Sequence, residues 1–315
     1  MESCTAVAYP GLPLIFAEGF RDYGNRTSMH SHASLALTGT NGGVNTKTTV
    51  SLAETTSFTI DGRTPSGPRS KGVYELATIF ISMSGMDAGV VVESVNNSIY
   101  SGSSDSGAAA VSSSLNHLLG LGLSKSELSD HARRISETAY RSIYGGLSEY
   151  FIDKDGVIST DQALDDSVFS DVRILACPFD YDRYSADELH LKVVEHPDYH
   201  SRISQVNDRM LELKQLSRKE DVEGILCLME SEAKTVHGLF EGVGLTVIKP
   251  LMKAVCSSVE SMRSEGVPAF WNVAGGSVVY VFTFNDSEDR VKEALSGLNV
   301  GYDELKVAGP ARVMI

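Results

Sequence analysis

The sequence predicts an α+β protein of two lobes. Three observations carry that expectation. The chain has 315 residues with a hydrophobic fraction of 42%, enough for a large core and for two domains of ordinary size. Residues 31 to 60 hold short alternating, β-branched runs between Gly, Asn and Asp breaks, the pattern of strands and turns. The second half alternates strand-like runs with stretches of helical apolar period, as a mixed lobe does.

In order along the chain, "ASLALT", "TKTTVSL" and "SFTIDG" read as strands, "SKGVYELATIFISMSG" as a helix and "AGVVVESVNN" as a strand. A helix is expected from Asp105 through "GAAAVSSSLNHLLG", and a second through "SKSELSDHARRISETAYRSI", with Ser124 as N-cap and Glu127 completing a capping box. The acidic stretch 153–171 reads as a lobe boundary, giving an N-terminal lobe 1–171 and a C-terminal lobe 172–315. Beyond it come the strand "VRILACPFD", a long polar helix over 185–216, helices at "VEGILCLMESEAKTVHGLF" and "TVIKPLMKAVCSSVESMRSEG", a strand pair in "AFWNVAGGSVVYVFTF", the helix "SEDRVKEALSGL" and a last strand.

Charge and composition narrow the function. A net charge of −14 disfavours nucleic acid and anionic membranes as partners, since polyanions bind through clustered Lys and Arg. No apolar run spans a bilayer and no signal segment opens the chain, so a cytoplasmic protein is expected. Cys4, Cys177, Cys227 and Cys256 form no CxxC pair and read as mostly buried thiols. His30, His32, His190, His196, His200 and His237 lack metal-ligand spacing, so they read as structural or surface residues and no metal site is expected.

The stretch "SGSSDSGAAA" (101–110) follows a β-like run, "VVVESVNNSIY", and opens into an Ala-rich helix. An isolated Gly/Ser-rich match is more often only a turn. In this setting, however, it presents free N–H groups and the positive end of a helix dipole, which suits a nucleotide's phosphates. Ser103 and Ser104 add hydroxyls for phosphate or Mg²⁺, and no GK[ST] follows, so the loop is not a Walker A motif.

These residues resemble the GHMP kinase superfamily, in its diphosphomevalonate decarboxylase branch. "LIFAEGFRD" (14–22) is similar to that branch's "LIKYWGKRD", "SETAYRSIYGGLSEY" (136–150) to "SGSACRSLYGGFVEW", and "AGGSVVYV" (274–281) to "DAGPNAVLY". The resemblance implies a two-lobed fold, with an N-terminal lobe like domain 2 of ribosomal protein S5 and a ferredoxin-like C-terminal lobe, and commonly a homodimer. It also implies ATP and Mg²⁺ at Ser101, Gly102, Ser103, Ser104, Gly107 and Ala108.

The departures are as informative. Both lysines of the decarboxylase pattern are Phe16 and Phe20 here, its glycine is Glu137, and its aspartate falls at Ala274, or at Val273 with a shift of one. A 5-diphosphate would then be poorly held, and Glu137 can accept a hydrogen bond from a free alcohol. Together with "GSSDSGAA", "SETAYRS" and "PFDYDR", these changes resemble the archaeal mevalonate 3-kinases of the same branch. That resemblance implies ATP-dependent phosphorylation of the 3-hydroxyl of mevalonate, in isoprenoid biosynthesis, without decarboxylation. Glu137, Arg141 and Phe16 would lie at the substrate, with Arg141 and Arg183 binding it or supporting catalysis. A lyase acting on an already phosphorylated mevalonate and a non-catalytic ligand-binding relative are the alternatives. Asp105 is either an N-cap or a proton acceptor, and Glu137 with Arg141 is otherwise an ordinary i,i+4 pair on a helix.

Overall fold

The computed structural model describes residues 2–97 and 101–314, so the end of the expected run "VVVESVNNSIY", residues 98–100, lies outside the described residues. The first half places β1 (Ser3–Ala8), β2 (Gly11–Ile15), β3 (Phe20–Asp22), β4 (Thr27–Ser28), β5 (His32–Gly39), β6 (Asn45–Ala53), β7 (Ser57–Ile60), α1 (Pro68–Ser84), β8 (Gly89–Asn97), α2 (Ser103–Leu118), α3 (Lys125–Ala132), α4 (Tyr140–Tyr144), β9 (Leu147–Ile152) and β10 (Ile158–Leu164). The second half adds β11 (Val172–Pro178), α5 (Ala186–Val193), α6 (Tyr199–Arg218), α7 (Val222–Gly242), α8 (Pro250–Ser264), β12 (Ala269–Asn272), β13 (Val278–Phe284), α9 (Glu288–Gly297), β14 (Asp303–Val307) and β15 (Arg312–Met314).

Two sheets organise these elements. The first runs β15-β1-β6-β8-β7 and the second β10-β9-β5-β14-β11-β13-β12, with β2 also on β5; β3 and β4 form a separate hairpin. All eight residues of β5 are buried, as befits a strand covered on both faces. The larger sheet is hydrogen-bonded across the expected boundary near 172: β5 pairs with β14, Leu305 opposite Gly39. β15 likewise returns to β1, Thr5 opposite Met314. The acidic stretch before 172 contributes β10 to that sheet.

Apolar alternation on the sheets builds the cores. Ile174, Ala176, Tyr280 and Phe282 face a cluster with α6 and α7, whereas Leu175, Cys177, Val279 and Val281 face α7, α8 and α9. The first sheet is covered by α1 to α4. In α2 the fully buried Ala108, Ala109 and Ala110 let the helix lie close on β1 and β6. Ser106 Oγ meets Thr46 Oγ1 at 2.7 Å, and Ser114 Oγ donates to Thr48 O at 3.1 Å.

Three expected elements differ. Ser124 and Glu127 form the expected capping box, but its helix ends at Ala132, and a turn over 133–139 precedes the short α4. Glu137 therefore lies in a turn and not on a helix. The polar helix over 185–216 is two helices, α5 and α6, separated around Pro197, where the lost N–H and fixed φ interrupt helical hydrogen bonding. The helix expected from Thr246 begins at Pro250, since proline suits the first helical turn.

Candidate active site

The loop that opens α2 is shaped by Gly102, which is the helix N-cap at φ +76°. A Cβ there would also stand 2.8 Å from Gly11 O and 2.9 Å from Gly11 N, so only glycine fits. Asp105 is not the N-cap. It sits in the first turn of α2 with its carboxylate directed to other partners. Ser101 Oγ lies 2.8 Å from Tyr280 Oη on β13, which ties the loop to the larger sheet.

The loop forms one wall of a cleft of about 510 Å³. Phe16, Ser101, Gly102, Ser103, Ser104, Asp105, Glu137, Arg141 and Arg183, separated by up to 167 positions in the chain, all line it. Gly107 and Ala108 do not line it, and Ala108 is wholly buried in the core beneath. Phe20 is also off the cleft; its ring packs 4.9 Å from the ring of His190. Ala274, Gly275 and Gly276 also line the cleft, and the stem of Arg183 passes near Gly276, whose φ is +140°.

Three carboxylates line the cleft, and each is held by a guanidinium. Asp105 Oδ1 accepts from Ser136 Oγ and Thr138 Oγ1, both at 2.6 Å, and Oδ2 accepts from Arg141 Nε at 2.8 Å and from Arg141 Nη2. Four donors thus converge on the Asp105 carboxylate, two of them from Arg141. Arg141 Nη1 donates to Ser34 Oγ at 3.3 Å. The alternative reading of Glu137 and Arg141 as an i,i+4 pair is not what the structure has: Arg141 pairs with Asp105 and Glu137 with Arg26.

Glu137 instead accepts from Arg26, at Oε2, from Nε at 2.8 Å and Nη2 at 2.6 Å. Its Oε1 lies 3.4 Å from His190 Nε2. Burial alone would raise this carboxyl, but His190, Arg69 and Arg26 hold it well below the usual carboxylate range. Arg26 reaches on to Asp187 on α5, Nη2 to Oδ1 at 2.7 Å, where Arg69 Nη2 also arrives at 3.3 Å. Phe20 supports the guanidinium from below, its centroid 5.3 Å from Arg26 Cζ.

The third carboxylate is Glu18. It lies 2.9 Å from His30 Nε2 and 3.4 Å from Arg202 Nη2, and Arg202 also pairs with Glu232. Burial opposes charge on Glu18, but Arg202 and His30 hold it below its ordinary range. Glu232 Oε1 accepts from Phe16 N at 3.3 Å, so this buried group fixes the backbone beside the cleft. The sequence reading missed Glu18, Arg26, Arg69 and His190. The signal it left unread for Glu18 was a carboxylate inside "LIFAEGFRD" itself. Among the described residues no group of His, Cys, Asp and Glu is arranged to hold a metal ion, and no helix is long and apolar enough to cross a membrane.

A two-lobed α+β fold with a small-residue loop at a helix start and a charged cleft beneath it defines a GHMP-type kinase fold. Comparison with known proteins agrees. Residues 8–161 match the model of the diphosphomevalonate decarboxylase-like N-terminal domain, and residues 184–289 that of the mevalonate-3-kinase C-terminal domain. The chain is 30% identical to the mevalonate-3-kinase of Picrophilus torridus, over 98% of this chain and 96% of that protein. It is 29% identical to the mevalonate 3-kinase of Thermoplasma acidophilum, over 92% and 91%. A crystal structure of the Thermoplasma acidophilum enzyme with mevalonate 3-phosphate and ADP bound matches with a TM-score of 0.91 at 26% identity, covering 100% of this chain and 99% of that one. The chain belongs to the mevalonate 3-kinase family.

Proposed function

We propose that this protein transfers the γ-phosphoryl group of ATP, as its Mg²⁺ complex, to the 3-hydroxyl of mevalonate and releases mevalonate 3-phosphate without decarboxylation. The observation that carries the reading is the state of the cleft. Glu18, Asp105 and Glu137 are each paired with a guanidinium, and Ala274, Gly275 and Gly276, which also line the cleft, bring no carboxylate to it. Among the described residues lining the cleft there is thus no carboxylate at the place of the aspartate that a decarboxylating relative carries in its "DAGPN" motif.

Phosphoryl transfer tolerates that state. The new O–P bond forms at the 3-hydroxyl oxygen as the bond to the ADP leaving group breaks, and the hydroxyl proton passes late from a loose transition state to solvent water. Alignment and charge neutralisation contribute most. Backbone N–H groups of Ser103 and Ser104 cradle the triphosphate, and their hydroxyls suit Mg²⁺. Arg141, held by Asp105, pairs with the substrate carboxylate, Glu137 Oε1 meets the C5 alcohol beside Phe16, and Arg183 faces the transferring group. The N-terminal lobe (1–171) supplies the nucleotide loop and the C-terminal lobe (172–315) supplies Arg183. A cytoplasmic homodimer in isoprenoid, and so lipid, metabolism completes the proposal.

The test is product analysis. Protein incubated with mevalonate, ATP and Mg²⁺ is expected to give ADP and mevalonate 3-phosphate in equal amounts by mass spectrometry, with no CO₂. Stoichiometric CO₂, or ADP release that does not depend on mevalonate, would overturn it.

A further inference from the structure

We propose that Tyr280 is a positioning residue for nucleotide binding, which sets the height of the loop 101–105 over the larger sheet through its bond to Ser101. The inference rests on the reading of that loop as the phosphate site, and it assigns the Ser101 hydroxyl to the protein's own frame and not to ATP.

The seat of the loop is apolar apart from one atom. Pro10, Leu37, Val44, Leu305 and Tyr280 line, with Ser101, a gap of about 10 Å³, and among these described neighbours of Ser101 only Tyr280 has a polar side chain. Tyr280 is 4% exposed, with its ring in the core beside Ile174 and Phe282. Burial pushes its phenol up, with Ser101, Arg183 and Arg141 opposing, so the hydroxyl is neutral and has a proton to share. A buried phenol without a partner is costly, and Ser101 Oγ, at 2.8 Å, supplies one. At the next residue the backbone of Gly11 stands where a Cβ on Gly102 would be. A polar tie and a steric stop at consecutive residues thus fix one backbone position for the start of α2.

The tie also joins the two halves of the chain. Tyr280 lies on β13 opposite Ala176 of β11. Residues 274–276, just before β13, and Arg183, just after β11, line the cleft, and Phe179 N donates to Ser277 O at 2.7 Å to hold these two ends together. One hydroxyl therefore references the loop of the first half to the strands that deliver Arg183. In phosphoryl transfer the placement of the phosphates against such a cation is what alignment consists of. Tyr280 is not among the residues lining the cleft, whereas Ser101 is, so the phenol acts through the serine.

The test uses the full chain and two readouts. Asp105 N and Ser106 N both donate to Gly102 O at 3.2 Å, so hydrogen–deuterium exchange at these amides, without nucleotide, reads the tie itself. Titration with a non-hydrolysable ATP analogue and Mg²⁺ reads its consequence. Tyr280→Phe keeps the ring and removes the hydroxyl. Ser101→Ala removes the other partner at a half-buried position, and it carries the test if the core variant does not fold. In each, exchange is expected to quicken and the analogue to bind about two- to tenfold more weakly, the range of one neutral hydrogen bond. Mevalonate affinity without nucleotide should stay at the wild-type value. Because both variants break the same bond, the double variant is expected to be no worse than either single one; a loss of packing alone would add, and would lower mevalonate affinity too. Unchanged exchange in both single variants, additive losses in the double, or analogue affinity that stays at the wild-type value while exchange quickens, overturns the proposal. Faster exchange in the variants together with a wild type that binds no ATP analogue keeps the tie and overturns the reading of the loop as a phosphate site instead.

Discussion

Glu149 shows how a single side chain can act against the fold that contains it. It lies on β9 opposite Ala33 and Asp161, and its Oε1 is buried with no hydrogen-bond partner. Burial pushes its carboxyl up to about 7, Lys214 opposing this and Asp161 adding to it. The folded state therefore binds this proton more tightly than the unfolded chain. Its contribution is favourable at low pH and is lost as pH rises from the ordinary carboxylate range through about 7. Glu149→Gln keeps the shape without the charge, so it is expected to stabilise the protein by about 2–3 kcal/mol at pH 8 and by much less at pH 4.5. Urea denaturation at the two pH values measures this, and an equal effect at both would show that the charge is not the cause. His237 behaves in the opposite sense. Burial pushes it down to about 4 even though Val273 O accepts its bond, so its contribution is lost as pH falls below the ordinary histidine value.

At the scale of elements, the start of α2 is where backbone shape and proposed chemistry coincide. Gly102 combines φ +76° with a backbone neighbour that leaves no room for a Cβ. Gly102→Val is therefore expected to weaken ATP binding about a hundredfold or more, through displacement of the N–H groups that meet phosphate. Ser104→Ala is expected to leave the loop in place and to lower kcat/KM for ATP. Nucleotide titration separates the two, and unchanged ATP affinity in Gly102→Val would sink the loop assignment. This element was legible in the sequence because everything that defines it is local: a strand-like run, small residues, an Ala-rich helix. The single helix expected over 124–143 failed for the opposite reason. No Gly or Pro breaks "RRISETAY", and the turn there is set by Asp105, thirty-odd residues away, which draws Ser136, Thr138 and Arg141 to itself. Arg26 was illegible on the same ground, since it lies in the connection between β3 and β4 and meets Glu137 only after folding. Motif resemblance found Phe16, the loop residues 101–105, Glu137, Arg141 and Arg183 on the cleft but not Glu18, Arg69 and His190, which line it too; these, and Arg26 behind Glu137, come to the site through tertiary contacts that no spacing encodes.

At the scale of the whole molecule, the sheet shared by both halves makes them one thermodynamic unit. β5 from the first half is paired with β9 and β2, both from the first half, and at Leu37, Thr38 and Gly39 with β14, so the end of β5 loses its partner if residues 172–315 are removed. We expect one cooperative urea transition, with Trp271 fluorescence and far-UV circular dichroism coinciding. The single tryptophan of the chain stands on β12, in the second half, while helix and strand signals come from both. Two separated transitions would show that the halves fold independently.

The same pairing has a consequence for how the protein is made. Gly39 faces Leu305, and roughly 260 residues of chain lie between the end of β5 and its partner. At about 5–20 residues per second, a ribosome needs about 15–50 s to cross that interval. For all of that time the end of a strand that is buried along its whole length in the finished protein waits with an open edge at Leu37, Thr38 and Gly39, β2 covering only residues 33–36. An open edge is a template for pairing with another chain. Newly made copies on neighbouring ribosomes therefore compete with β14 for β5. Faster growth at high expression, or a pause late in translation, is where this protein is expected to lose yield to aggregation and to gain most from a chaperone that covers strand edges.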